Sequence, residues 1–251
     1  MKRYINLFLI LGLLIAFSLS ANVYGAEIAQ NYQFDTAVRL ARILDRQFVF
    51  SFVSASCPHC QDFKEEILSA PKVKKELNQH FILSLVSVDE TFELTLPERG
   101  KVTNMQLASG LGLQATPTTF VFYPPDPGLK NRGITKFQGN PPSPEAMVDF
   151  LTRIGTEAFK KEEDQKNEGE DSGFYNYKEE IKRLRREDYS FLKSTAFDIP
   201  VIEERISLSS IPEVPEIVLN TPEVSGMDFV GKVLSNTEVK KVFIVEEEQK
   251  N

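Results

Sequence analysis

Along the chain, stretches with apolar residues every three to four positions alternate with stretches that are apolar on every position or every second one. Phe34, Ala37, Val38, Ala41 and Leu44 share one helical face, and Asp35 stands in the first turn, where free N–H groups favour an acid. Gln47–Ser54 comes next, with Phe48, Phe50 and Phe52 on one side and Val49, Ser51 and Val53 on the other. A run that is apolar on both sides predicts a central strand covered on both faces. Helical spacing returns from Cys57 to Leu68, where Phe63 and Ile67 extend a stripe from Cys60 and Pro58 takes the first position. Pro71 breaks that helix, and Val73 and Leu77 open a second short one. Phe81–Val88 has strand character, and Asp89 to Val102 shows no period and reads as loop.

Thr103 and Gln106 have the spacing of a capping box for a short helix carrying Leu107, Ala108 and Leu111, ended by Gly110 and Gly112. Ala115-Thr116-Pro117-Thr118-Thr119 then runs into the apolar Phe120–Tyr123. A turn rich in Pro and Gly, Pro124 to Gly133, joins this to Ile134–Gln138, which predicts a hairpin. Ser143 caps a last helix with Pro144 at its first position and Met147, Phe150, Leu151 and Ile154 on its apolar face. The order is α-β-α-β-α-β-β-α, an α/β domain.

Beyond this domain the character of the chain changes. Lys160 to Gly173 is charge-rich and cannot bury apolar surface, so 160–175 reads as a linker. Tyr177, Ile181, Leu184 and Phe191 predict a short amphipathic helix, with Glu179 and Arg183 spaced to pair. Pro200, Pro212, Pro215 and Pro222 then punctuate short apolar groups such as Ile217-Val218-Leu219 and Val242-Phe243-Ile244-Val245, and Glu246 to Asn251 reads as a loose end. Residues 176–251 thus form a C-terminal extension of partly β character. Its plainest reading is an extended arm of short strands laid on the first domain or on a neighbour. Its apolar groups also fit a partner-docking or homodimerising module, since they would otherwise be exposed.

Lys2 and Arg3 precede an apolar run from Leu7 to Leu19, shorter than the roughly 20 residues needed to span a bilayer. Residues 1–25 therefore read as a secretory signal peptide, with small residues at the right spacing in Val23-Tyr24-Gly25 and in Leu19-Ser20-Ala21. An uncleaved anchor helix is the competing reading and the one route to a membrane. Either way the remainder faces a periplasmic or otherwise exported space, where disulfides form and persist. The chain has 251 residues, enough for one ordinary domain plus an addition or for two small domains, the first reading as 26–159. A hydrophobic share of 41% with 26% charged residues is that of a globular protein, and a net charge of -7 argues against nucleic acid.

The chemistry concentrates in Cys57-Pro58-His59-Cys60, which holds both cysteines of the chain. Between a buried strand and a helix, the first thiol meets the free N–H groups of the helix start, and its thiolate is stabilised. The second, one turn on, can attack a mixed disulfide and release the partner. A structural staple would close too short a loop to constrain the unfolded chain. Zinc needs four ligands, and beyond the cysteines only His59, inside the motif, and His80 are at hand. His80 reads as a helix-terminus residue, and Asp89 as a solvated loop residue rather than a buried acid.

With CxxC after the first strand and Thr116-Pro117 before the third, residues Gln33 to Phe159 resemble a thioredoxin-fold thiol–disulfide oxidoreductase, similar to exported bacterial members of the DsbA/DsbC and SoxW-like groups. The resemblance implies a central mixed sheet flanked by helices, Cys57 as attacking thiol, Cys60 as resolving thiol, and Pro117 as a cis-proline packed on the motif. Thr116 would offer its backbone to a substrate strand. No cofactor is implied, because the cysteine pair is the redox centre. The chain departs from the pattern at Ser56, where thioredoxins usually carry tryptophan, and at Ser51, where many members carry a buried Asp or Glu. Pro58 and His59 match the disulfide oxidases, and a protonated His59 would lower the Cys57 pKa further. Thr116 before the proline instead resembles the isomerases. The expected partners are cysteine-containing exported proteins and a redox partner. The alternatives are a dedicated reductant for cytochrome or sulfur-oxidation machinery, and a non-catalytic assembly protein using the fold as a platform.

Overall fold

A computed structural model describes residues 29–96, 100–122, 134–153, 180–195, 197, 199–204, 206–221 and 224–246. The expected signal peptide and charged linker lie outside the described residues. The chain divides into two compact units. One holds the described residues of Met1–Ala37 and Gln47–Thr156, the other those of Val38–Arg46 and Glu157–Asn251.

α1 (Phe34–Leu44), of which only the start up to Ala37 belongs to the first unit, leads to β1 (Gln47–Val53), then α2 (Pro58–Asp62), α3 (Pro71–His80) and β2 (Phe81–Ser87) of that unit. After these come β3 (Glu93–Leu96), β4 (Gly100–Thr103), α4 (Asn104–Gly110), β5 (Thr118–Phe122), β6 (Ile134–Gln138) and a helix, α5, over 144–153. The sheet order is β2-β1-β5-β6. β1 pairs parallel with β2 and antiparallel with β5, which pairs antiparallel with β6. The sheet is therefore mixed, and β1, buried at every position, lies inside it as its doubly apolar pattern predicts.

The alternation of β1 sorts the core into two layers. On one face Phe50 stacks on Phe120 and Phe122, and Phe34 of α1 meets Phe48 and Phe50 edge-on. The other face carries Ser51, opposite Thr119, which is opposite Phe137, and Phe137 meets Phe150 of α5 edge-on. Helices thus cover both faces, as an α/β fold requires.

Two expectations fail in this unit. Asp89–Val102 is not all loop, because β3 and β4 pair antiparallel with Leu94 buried between exposed neighbours. Strands this short and polar leave no period to read. The helix begun at Pro58 does not stay α-helical to Leu68. From Phe63 to Leu68 it widens to a π-turn, with the Ser69 N–H donating to the Lys64 carbonyl, five residues back. Pro71 opens α3 at its first turn, the separate short helix that Val73 and Leu77 predict, and both of those side chains are buried.

The extension is no extended arm. It folds as β7 (Glu180–Leu184), α6 (Arg186–Ser194), β8 (Val201–Ile202), β9 (Glu216–Leu219), α7 (Met227–Asn236) and β10 (Lys241–Val245). The sheet order is β7-β10-β9-β8, and every pair is parallel. Ile202, Ile217, Leu219, Val242 and Ile244 pack with Phe229, Val230, Val233 and Leu234 of α7 in a core of its own. Over its described residues, 180–191, the expected helix is instead strand β7 followed by α6. Ladder partners from β10, distant in sequence, override the helical spacing of Ile181 and Leu184. Glu179 of the expected ion pair lies outside the described residues.

Candidate functional site

β1 delivers the chain to the motif. Ser54 is buried, Ala55 and Ser56 are exposed, and Cys57 is the N-cap of α2, its backbone extended at φ −92° and ψ 111°. Pro58 fills the first helical position, where no N–H is needed. The amides of Cys60 and Gln61 donate to the Cys57 carbonyl at 3.0 and 3.3 Å. Cys57 is half-buried and Cys60 fully buried, and both are free thiols.

The two sulfurs are electrostatically unlike. A hydrogen bond from the Cys60 thiol pulls the Cys57 pKa down, opposed by partial burial and helped by the Thr116 side chain and the Cys60 and His59 amides. Burial pushes the Cys60 thiol up, the bond to Cys57 adds to it, and the Ser54 amide, 3.5 Å from the Cys60 Sγ, works against it. One sulfur is thus the more accessible and the more easily ionised, the other shielded and held protonated. That is the asymmetry an attacking and a resolving thiol need.

The strand-β5 side closes the site. The Thr116–Pro117 peptide is cis, and the Cys57 thiol donates to the Thr116 carbonyl at 3.3 Å. The Thr118 hydroxyl donates to the Ala115 carbonyl at 2.6 Å, and the Gly139 amide to the Pro117 carbonyl at 2.8 Å. Cys57, Cys60, Thr116 and Pro117 therefore come together from two separate parts of the chain. His59 is exposed, its ring 3.9 Å from the Asp62 carboxylate, and it reaches Cys57 through its backbone amide.

The family model of the thioredoxin-like domain matches residues 34–134. This part of the chain is a thioredoxin-like domain. Its mixed sheet, flanking helices and motif at the end of β1 form a thioredoxin fold. Among solved structures, the chain resembles a thioredoxin from Thermus thermophilus at 23% identity and TM-score 0.42, over 53% of this chain and 91% of that one. It also resembles a thioredoxin-fold protein from Helicobacter pylori (16% identity, TM-score 0.38, 64% and 96% covered) and a DsbH oxidoreductase (14%, 0.37, 56% and 91%). No curated protein sequence matches the chain.

Two groups at the site escape a reading of the sequence. Asp89 is exposed as expected, yet it is not simply solvated. Its carboxylate accepts from the Ser54 hydroxyl at 2.5 Å, the Ala55 amide at 2.7 Å and the Ser87 hydroxyl at 3.1 Å. Asn104, fully buried, donates to the Ser87 and Glu90 carbonyls at 2.7 and 2.8 Å and accepts from the Phe92 amide at 3.1 Å. A polar residue at the first position of an otherwise apolar-faced helix was the one available signal for Asn104. Among the described residues no cluster of His, Cys, Asp and Glu could hold a metal ion, and no helix is long and apolar enough to cross a membrane.

Proposed function

We propose that the protein is an exported thiol–disulfide oxidoreductase that exchanges disulfides with cysteines of other exported proteins through the Cys57-Pro58-His59-Cys60 dithiol. The observation that carries this reading is the pairing of a half-buried, easily ionised Cys57 with a fully buried Cys60 whose thiol is pushed up. In the reducing direction the Cys57 thiolate attacks a substrate disulfide, and one substrate sulfur leaves as a thiol. Cys60, deprotonated, then attacks the Cys57 sulfur. The Cys57–Cys60 bond forms, the bond to substrate breaks, and the second substrate sulfur leaves with the electron pair. The same steps run backwards for oxidation.

Substrate backbone would lie along Thr116, whose carbonyl now accepts from the Cys57 thiol. In the mixed disulfide that S–H is gone, and the carbonyl is free for a substrate N–H. His59, exposed at the helix start, would tune the dithiol when protonated. The basic start and short apolar run of residues 1–25 support export.

The test is a pair of variants. Cys57→Ser is expected to abolish exchange with a disulfide-bonded peptide, and Cys60→Ser to accumulate a covalent adduct that a reductant releases. Exchange at the wild-type rate by Cys57→Ser would overturn the reading. The reduction potential of the pair then sets the direction, high for an oxidase and low for a reductant.

A further inference from the structure

We propose that Asp89 is a positioning residue for the resolving half of the dithiol, holding the Ser54–Ala55 backbone so that the Ser54 amide stays on the Cys60 sulfur; the inference rests on the oxidoreductase reading above. One carboxylate grips both the side chain of Ser54 and the next amide in the chain, at 2.5 and 2.7 Å. Ser54 is also the residue whose backbone touches both cysteines. Its N–H donates to the Cys60 Sγ at 3.5 Å, and its carbonyl accepts from the Cys57 amide at 3.4 Å. The loop from β1 to α2 is otherwise exposed at Ala55 and Ser56, so little packing fixes it.

The anchor is itself anchored. Asn104 binds the carbonyls on either side of Asp89, those of Ser87 and Glu90, and the Asn104 amide donates to the Phe92 carbonyl at 3.0 Å. The exit of β2 is thereby tied to the start of α4, and Asp89 stands on a fixed segment rather than a free loop. The three donors, Ser54 first and then Ala55 and Ser87, with Lys64 adding charge, hold the carboxyl below its usual range. It is therefore ionised wherever the dithiol works, and its hydrogen bonds are charge-assisted.

The consequence falls on resolution. Cys60 must be a thiolate to attack the Cys57 sulfur of the mixed disulfide, and an N–H donor on its sulfur favours that form. Loss of Asp89 frees the loop, weakens the Ser54 donor and lowers the thiolate fraction of a thiol already raised by burial.

Reduced full-length chain mixed with dithiobis-nitrobenzoate, whose thiolate absorbs on release, separates the two steps. Attack by Cys57 releases one thiolate, and attack by Cys60 on the resulting mixed disulfide releases the second. In Asp89→Ala the second release is expected to slow about fivefold at neutral pH, the worth of one hydrogen bond, with its pH profile moved upward. The first release should keep the wild-type rate, and Asp89→Asn, which retains an acceptor for the Ala55 amide, should recover part of the loss. Asp89 is exposed, and an unchanged circular-dichroism melt checks that the variant folds. A second release at the wild-type rate and pH profile overturns the inference, as does equal slowing of both releases. Wild-type chain that gives no second release sinks the oxidoreductase reading instead.

Discussion

Ser51 and Thr119 face each other across the β1–β5 ladder with their hydroxyl oxygens 2.7 Å apart, and they are only 0% and 1% exposed. Many thioredoxin-fold members carry a buried acid at the position of Ser51. Here two hydroxyls close on each other. Replacing one partner leaves the other's hydroxyl unpaired at a fully buried position. Ser51→Ala and Thr119→Val are each expected to destabilise the first unit by about 1–3 kcal/mol. Valine keeps the volume of threonine, and alanine removes a single buried oxygen, so little of that loss is packing. The double variant removes both polar groups and leaves nothing unpaired. Its cost should therefore fall below the sum of the singles by about 1 kcal/mol or more.

Amide hydrogen exchange along β1 and β5 measures that free energy locally, without assuming that both units unfold together. Additive single and double variants would refute the reasoning, because two independent hydroxyls need no partner to lose. The same variants carry a chemical corollary. A neutral hydroxyl pair cannot take the Cys60 proton, so thiol exchange in all three should keep the wild-type pH profile. A profile that moves with Ser51 would make the pair part of the chemistry rather than of the sheet.

The site leads to two further expected outcomes. The Cys57 pKa is lowered, so its alkylation by iodoacetamide should rise through a midpoint below that of an ordinary thiol and fail as pH drops through that midpoint. Cys60→Ala removes the largest cause and should move the midpoint up, while Cys60 in Cys57→Ser should titrate above the ordinary value. Asn104→Ala removes three side-chain hydrogen bonds from a fully buried position and should cost about 3 kcal/mol, read as a lowered melting temperature of the first unit.

Where the chain carries a strong local signal, the fold is legible in the residues themselves. The capping box at Thr103 and Gln106 forms as its spacing predicts, with each side chain on the other's amide. Pro58 and Pro71 both open helices, and the doubly apolar β1 is interior to its sheet. The hairpin β5–β6 likewise arises from two apolar runs around a turn-rich stretch. These features are decided within a few residues by capping, φ restriction and the two-residue period.

The second unit resisted for the opposite reason. Its strands are two to five residues long, and β7 carries only Ile181 and Leu184 among Glu180, Lys182 and Arg183. Such a segment becomes a strand only because β10, far along the chain, supplies its ladder partners, and no local window contains them. The same distinction divides the candidate site. Cys57, Cys60 and Thr116-Pro117 are legible because their chemistry is written in residue type and spacing. Asp89 is not, because any loop can carry an aspartate. What sets this one apart is that three donors, from the end of β1, the loop after it and the end of β2, meet on its carboxylate once parallel strands β1 and β2 are in register, with Val53 opposite Ser87. A one-residue slip of that register would carry Asp89 away from Ser54, so the environment of Cys60 is fixed by sheet pairing as much as by the motif itself.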